Sequence, residues 1–149
     1  MQTSFLLIIF VVILGAGWIR FAPTDVDAWH VDPATANDPG PQGFRVIGRE
    51  APRFSGDPVA VLEALIAIAR AEPRVRRLDG SIDEGMLTFV THTKWVGFRD
   101  YITVKAVAEG SATKLSVISR SRYSYGSDWG VNRERLERWF AELEDIFVE

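Results

Sequence analysis

The chain opens on an unbroken apolar run. From Phe5 to Ile19 (FLLIIFVVILGAGWI) it carries no charge and almost no polar side chain. These 15 residues give about 22 Å of helix at 1.5 Å per residue. Extension from Thr3 to Ala22, with Arg20 reaching out to the headgroups, gives about 30 Å, enough to cross a bilayer. Trp18 and Phe21 then fall at the interface, where aromatic rings are favoured. Residues 1–22 are therefore expected to form a single-pass transmembrane anchor. A cleaved signal peptide competes with this reading, because Gly15 and Gly17 give a small-x-small pattern. Against it, Met1–Ser4 lacks the Lys or Arg with which such peptides begin. Flanking charge says little about orientation. Short N-terminal anchors usually serve export, so the expected place is the inner (cell) membrane, with the rest of the chain on the periplasmic side.

From Ala22 to Gly43 all periodicity is lost. Pro23, Pro33, Pro39 and Pro41 stand among Asp, Thr and Gly. Proline lacks a donor and restricts the residue before it, so neither a long helix nor a central strand fits. Residues 23–43 read as an extended, solvated linker. Trp29 within it is expected on the domain surface or at the membrane face. His30 and Asp32 are two metal-ligand types in one flexible tract, which is too few to specify a metal site.

Helical and strand periods alternate over residues 44–149, read as a single domain. Asp57-Pro58 has the form of a cap followed by proline in the first turn. Val61, Leu62, Leu65, Ile66, Ile68 and Ala69 then follow at helical spacing up to Pro73. The other side of that helix is smooth, with Ala60, Ala64, Ala67 and Ala71, and a partner could dock there. Strand-like runs follow at Arg74–Leu78, Met86–Trp95, Tyr101–Ala108 and Thr113–Tyr123, divided by Asp79-Gly80, Glu84-Gly85 and Glu109-Gly110. Phe44–Gly48 adds an edge strand. A last helix, Val131–Phe147, carries Leu136, Trp139, Phe140, Leu143, Ile146 and Phe147 on one stripe, with Asp128 or Asn132 as its cap. The expected fold is α+β in the order β-α-β-β-β-α, a curved antiparallel sheet covered on one face by two helices.

Charge and composition narrow the function. The segment from Thr24 to Gly43 holds four acids and no base, whereas Phe44 to Glu149 balances 16 acids with 16 bases. A neutral domain lacks the basic footprint of nucleic-acid binding, so no nucleic-acid partner is expected. The absence of cysteine excludes disulfides, thiolate metal sites, a cysteine nucleophile and lipid attachment at cysteine. No G-x-S-x-G elbow and no phosphate-cradling glycine loop is present. His92 alternates with Val90 and Lys94 as a sheet-surface histidine, and Asp83-Glu84 sits in a turn. No catalytic residue, metal or cofactor is assigned.

Two segments carry a family resemblance. Trp95, Gly97, Phe98 and Asp100 (WVGFRD), with Arg120, Ser121, Gly126, Asp128, Gly130, Asn132 and Arg133 (RSRYSYGSDWGVNRER), resemble the domain of unknown function 1499 family of small bacterial and plastid proteins. The segment WIRFAPTDVDAWHVDP is similar to the membrane-proximal part of its alphaproteobacterial members. The likeness covers most of the chain past Ile19. It implies an α+β fold and frequent membrane attachment, and it implies no chemistry.

The residues must supply the chemistry themselves. Asp128 or Ser127 can accept from unpaired amides at the start of the last helix, and Gly126 and Gly130 permit the turn. Alternatively, Arg99, Arg120, Arg122 and Arg133 converge at that helix N-terminus and hold a carboxylate, phosphate or lipid headgroup. Asp100, Ser121, Asp128 and Asn132 complete this candidate ligand site. Two functions follow: a membrane-tethered module binding a lipid, a small anion or a membrane-protein partner, or a small hydrolase- or cyclase-like enzyme with a pocket on the sheet. The space between the sheet and the last helix separates them.

Overall fold

The computed structural model describes residues 2–123 and 125–148. Helix α1 (Gln2–Phe21) is continuous, and the stretch Thr3–Phe21 is long and apolar enough to cross a bilayer, as a signal sequence also is. None of that stretch is buried against the rest of the chain.

The remainder is α+β. Six strands, β1 (Gly43–Val46), β2 (Arg53–Ser55), β3 (Arg76–Ser81), β4 (Met86–His92), β5 (Arg99–Glu109) and β6 (Ala112–Ser121), form one open antiparallel sheet in the order β1-β6-β5-β4-β3. The edge beside β6 comes in two pieces: β1 pairs with Val117–Arg120, and β2 with Ala112–Lys114. The order is thus β-β-α-β-β-β-β-α. It contains two more strands than the sequence order β-α-β-β-β-α, because β2 has only three residues and all four runs after the first helix pair.

Period 2 then sorts the side chains. Leu87 and Phe89, Ile102 and Val104, and Leu115 and Val117 face helices α3 (Pro58–Ala71) and α4 (Val131–Ile146) and form the core with them. Trp139 of α4 meets Phe89 edge-on at 5.7 Å, a favoured aromatic geometry. Asp57 caps α3 by accepting from the Ala60 amide at 2.9 Å.

The other face is not bare. Tyr101, Thr88 and Thr103 project there and are buried, because residues 22–36, expected to be a solvated linker, lie across them as a second layer. Trp29, at the end of the single-turn helix α2 (Val26–Trp29), stacks on Tyr101 with ring centroids 4.0 Å apart. Thr103 donates to the Trp29 carbonyl at 3.0 Å, and the His30 Nδ1 lies 2.8 Å from the Thr88 hydroxyl. The two residues weighed as metal ligands have separate partners: His30 also meets Glu84 at 2.9 Å, while Asp32 pairs with Lys105. Where His30 crosses the β3–β4 hairpin, Gly80 sits at φ 86°, and a Cβ there would lie 2.8 Å from the imidazole and 2.2 Å from the Met86 carbonyl. The prolines do exclude regular structure from this strap, but a half-polar sheet face needs cover, and the carbonyls and rings of the strap supply it.

Candidate functional site

The side chains at the α4 end of the sheet divide by parity. Asp100 and Ser121 are register partners on β5 and β6, on the helix side. Ser121 donates to Asp100 at 2.7 Å, and Arg135 of α4 donates to its other oxygen at 3.2 Å. Arg135 also donates to Asn132 at 3.0 Å, and the Ser119 hydroxyl bonds the same Asn132 oxygen. Asn132 donates to Asp128 at 2.9 Å. Asn132, Ser119 and Arg135 are buried, so the chain of bonds satisfies each polar group that the close packing of α4 removes from water.

Asp128 performs the capping expected of it from two residues before the cap position. Gly130 holds that position at φ 83° with no side-chain bond, while Asp128 accepts from the Gly130 amide at 2.9 Å and the Asn132 amide at 3.1 Å. Burial pushes its carboxyl up, but these amides and the Asn132 side chain outweigh that and hold it below the usual carboxylate range. Asn132, the other expected cap, lies inside the helix.

Asp100, Ser121, Asp128 and Asn132 are therefore brought together, and the four arginines are not. Arg99, Arg120 and Arg122 belong to the opposite parity and hold the strap. Arg99 donates to the Arg20 and Ala22 carbonyls at the end of α1 and to Thr24. A helix C-terminus has carbonyls without partners and a partial negative charge, which a cation suits. Arg120 donates to the Ala28 carbonyl at 3.0 Å and lies 4.8 Å over the Trp29 ring, and Arg122 donates to the Pro23 carbonyl at 2.9 Å. Arg133 points outward, over Phe44 at 4.1 Å and beside Glu137. Sequence reasoning missed Arg135 and Ser119. The signal was present for Arg135, which shares the helical stripe of Leu136, Trp139 and Leu143.

Above the network lies a groove of about 580 Å³. Its walls come from Ile19 of α1, Phe98 before β5, and Tyr123, Tyr125 and Trp129 after β6, with Asp100, Ser121 and Asp128 at its polar side. Phe98 packs edge-on to Tyr123 at 5.8 Å. The Tyr123 hydroxyl is buried without a partner among the described residues. Trp129 is 88% exposed and held at φ 58°, a left-handed conformation uncommon for a bulky residue.

On the opposite side of the Thr93–Phe98 loop is a smaller pocket of about 230 Å³, between the end of α1 and the ends of β3, β4 and β5. Arg20, Arg76, His92 and Arg99 line it. Gly97 closes one side at φ 83°, with the Arg20 side chain 3.1 Å from where a Cβ would stand. Burial, and then the charges of Arg20, Arg74, Arg76 and Arg99, hold the His92 imidazole below its ordinary titration range.

No curated protein and no solved structure matches the chain. Residues 30–143, which take in the strap from His30, the whole sheet and α4 as far as Leu143, match the family described as Protein of unknown function (DUF1499), and the chain belongs to that family.

Proposed function

We propose that the protein is a single-pass membrane protein whose domain sits against the bilayer and binds the apolar part of a lipid or similar amphiphile in the groove between α1 and Trp129. The carrying observation is that Ile19, in the last turn of the apolar helix, and the exposed ring of Trp129 line the same 580 Å³ groove. A volume of that order suits a small ligand, since such pockets hold about 300–1,000 Å³. Phe98, Tyr125 and Trp129 of its walls are exposed, as are Trp18 of α1 and Trp95 of the Thr93–Phe98 loop, and exposed Trp and Tyr are enriched where a protein meets headgroups. Asp100, Ser121 and Asp128 give the groove a polar side that fits the hydrated end of an amphiphile. Export to the periplasmic side of the inner membrane remains part of this reading, on the strength of the short N-terminal anchor.

The test is purification of the full-length protein in mild detergent, followed by mass spectrometry of bound lipid. Wild type is expected to retain a stoichiometric lipid that Trp129→Ser and Phe98→Ser both lose, Trp129→Ser without a change in melting temperature because its ring is exposed. Equal lipid content in wild type and both variants, or release of the full-length protein from membranes by carbonate, overturns the reading. Specific recovery of a second membrane protein instead of lipid would assign the groove to a protein partner.

A further inference from the structure

We propose that the pocket formed by Arg20, Arg76, His92 and Arg99 is a binding site for a phosphate-type dianion, either a phosphomonoester lipid headgroup or a free phosphate compound. It shares only Arg99 with the aromatic groove and stands on its own charges, whatever the groove holds.

The first observation is unbalanced charge. Over Phe44–Glu149 the chain carries equal numbers of acids and bases, and Arg53, Arg133, Arg135 and Arg138 each have a carboxylate partner. Among the described residues, no carboxylate pairs with Arg20, Arg74, Arg76 or Arg99. Four guanidinium groups thus act on one imidazole, from the end of α1, from Arg74 two residues before β3, from β3 itself and from β5. Crowded like charge opposes folding, and a bound dianion removes that opposition.

The second is geometry. Arg76 and Arg99 project from β3 and β5 on either side of His92, which is the register partner of Arg99 on β4. Arg20 closes the pocket from α1. Arg74 is held at φ 66° and donates from Nε to the His92 carbonyl at 3.2 Å. Left-handed backbone at such a residue is strained, and strain of this kind clusters at functional sites. Guanidinium forks match phosphate oxygens in pairs, and the imidazole can donate from its ring once protonated.

The third is size and place. About 230 Å³ admits a hydrated oxyanion but falls short of the usual volume for a larger ligand. Phe21 of α1 forms part of the wall, which sets the pocket at headgroup depth when α1 spans a bilayer.

The experiment uses the full-length protein in two arms. In detergent micelles, the His92 ring signal is followed by proton NMR against pH with sulfate, which stays dianionic throughout, and with inorganic phosphate; His92→Gln assigns the signal. The anion is expected to raise the His92 titration midpoint. Arg76→Gln should weaken anion binding about tenfold, as the loss of one charge-assisted bond does. Arg77→Gln, an exposed change on the other face of the same strand, should leave it unchanged. In nanodiscs, enrichment of phosphatidic acid over phosphatidylcholine around wild type, lost in Arg76→Gln, would identify the lipid headgroup as the source. Anion binding without that enrichment identifies a free phosphate. A His92 midpoint that ignores both anions, together with no enrichment, overturns the proposal, as does equal binding by Arg76→Gln and Arg77→Gln.

Discussion

The Trp29 indole lies flat on the Tyr101 phenol ring, with centroids 4.0 Å apart and planes 18° apart. Arg120 covers the Trp29 ring at 4.8 Å, and the Tyr101 hydroxyl meets Thr24 at 2.9 Å. This stack joins the strap to the sheet, so removing it acts on the whole domain. Trp29→Ala should destabilise by about 1–3 kcal/mol, less than a fully buried aromatic truncation because Trp29 is only partly buried. Urea unfolding of the full-length protein in detergent measures it.

The same layer predicts the outcome of truncation. A chain beginning at Ala22 should fold and melt cooperatively. One beginning at Phe44 uncovers Tyr101, Thr88 and Thr103 and should melt lower by about 10 °C. Equal melting temperatures would mean that the strap adds nothing to stability.

Asp128 accepts three hydrogen bonds, two of them from buried Asn132, through its backbone and side-chain amides. Asp128→Ala should cost about 1–3 kcal/mol, combining a lost cap with an orphaned amide. Asp128→Asn should cost about 1 kcal/mol, since one of two accepting oxygens becomes a donor. Its carboxyl titrates lower folded than unfolded. The contribution is therefore present above the unfolded value of about 4 and lost as pH falls through the lower folded value. Denaturant midpoints of wild type and Asp128→Asn should converge as the solution is acidified below pH ~4.

His92 gives a pH dependence at milder acidity. Its imidazole resists protonation in the folded state, facing Arg20, Arg74, Arg76 and Arg99, whereas the unfolded chain protonates near pH ~6.5. Stability should fall as pH drops below that value, because the unfolded state takes the proton first. His92→Gln should flatten this slope in anion-free buffer, measured by urea unfolding.

Arg135 and Asp100 form an ion pair with both side chains largely buried. Arg135→Met leaves Asp100 without its cation and should cost about 3 kcal/mol. The double variant with Asp100→Asn should recover part of that loss, and a double-mutant cycle measures the coupling.

Much of this architecture was legible in the chain. Asp57-Pro58 located α3, and the alternation in β5 and β6 located the meander. The stripe of Leu136, Trp139 and Leu143 fixed the buried face of α4. The strap was not legible, because Pro-rich sequence has no period and its packing partners, Tyr101 and Thr103, lie over seventy residues away. β2 was too short to show a pattern. The arginine placement could have been read: Arg120 and Arg122 share parity with Ile118, whereas Ser121 shares it with Val117, so one strand cannot send all of them to one helix end. The grooves depend on how α1 meets the Thr93–Phe98 loop, and no local pattern encodes that contact.

Arg99 binds two carbonyls at the end of α1, and the chain continues from there directly into the strap. A flexible tether would let the domain roam within a hemisphere and meet targets by searching. With Arg99 holding both carbonyls, mast and head would turn together, and an inserted helix would fix which side of the domain faces the lipid. Ligands would then arrive by lateral diffusion in the plane of the bilayer, and the tilt of one helix would set how deep both pockets sit.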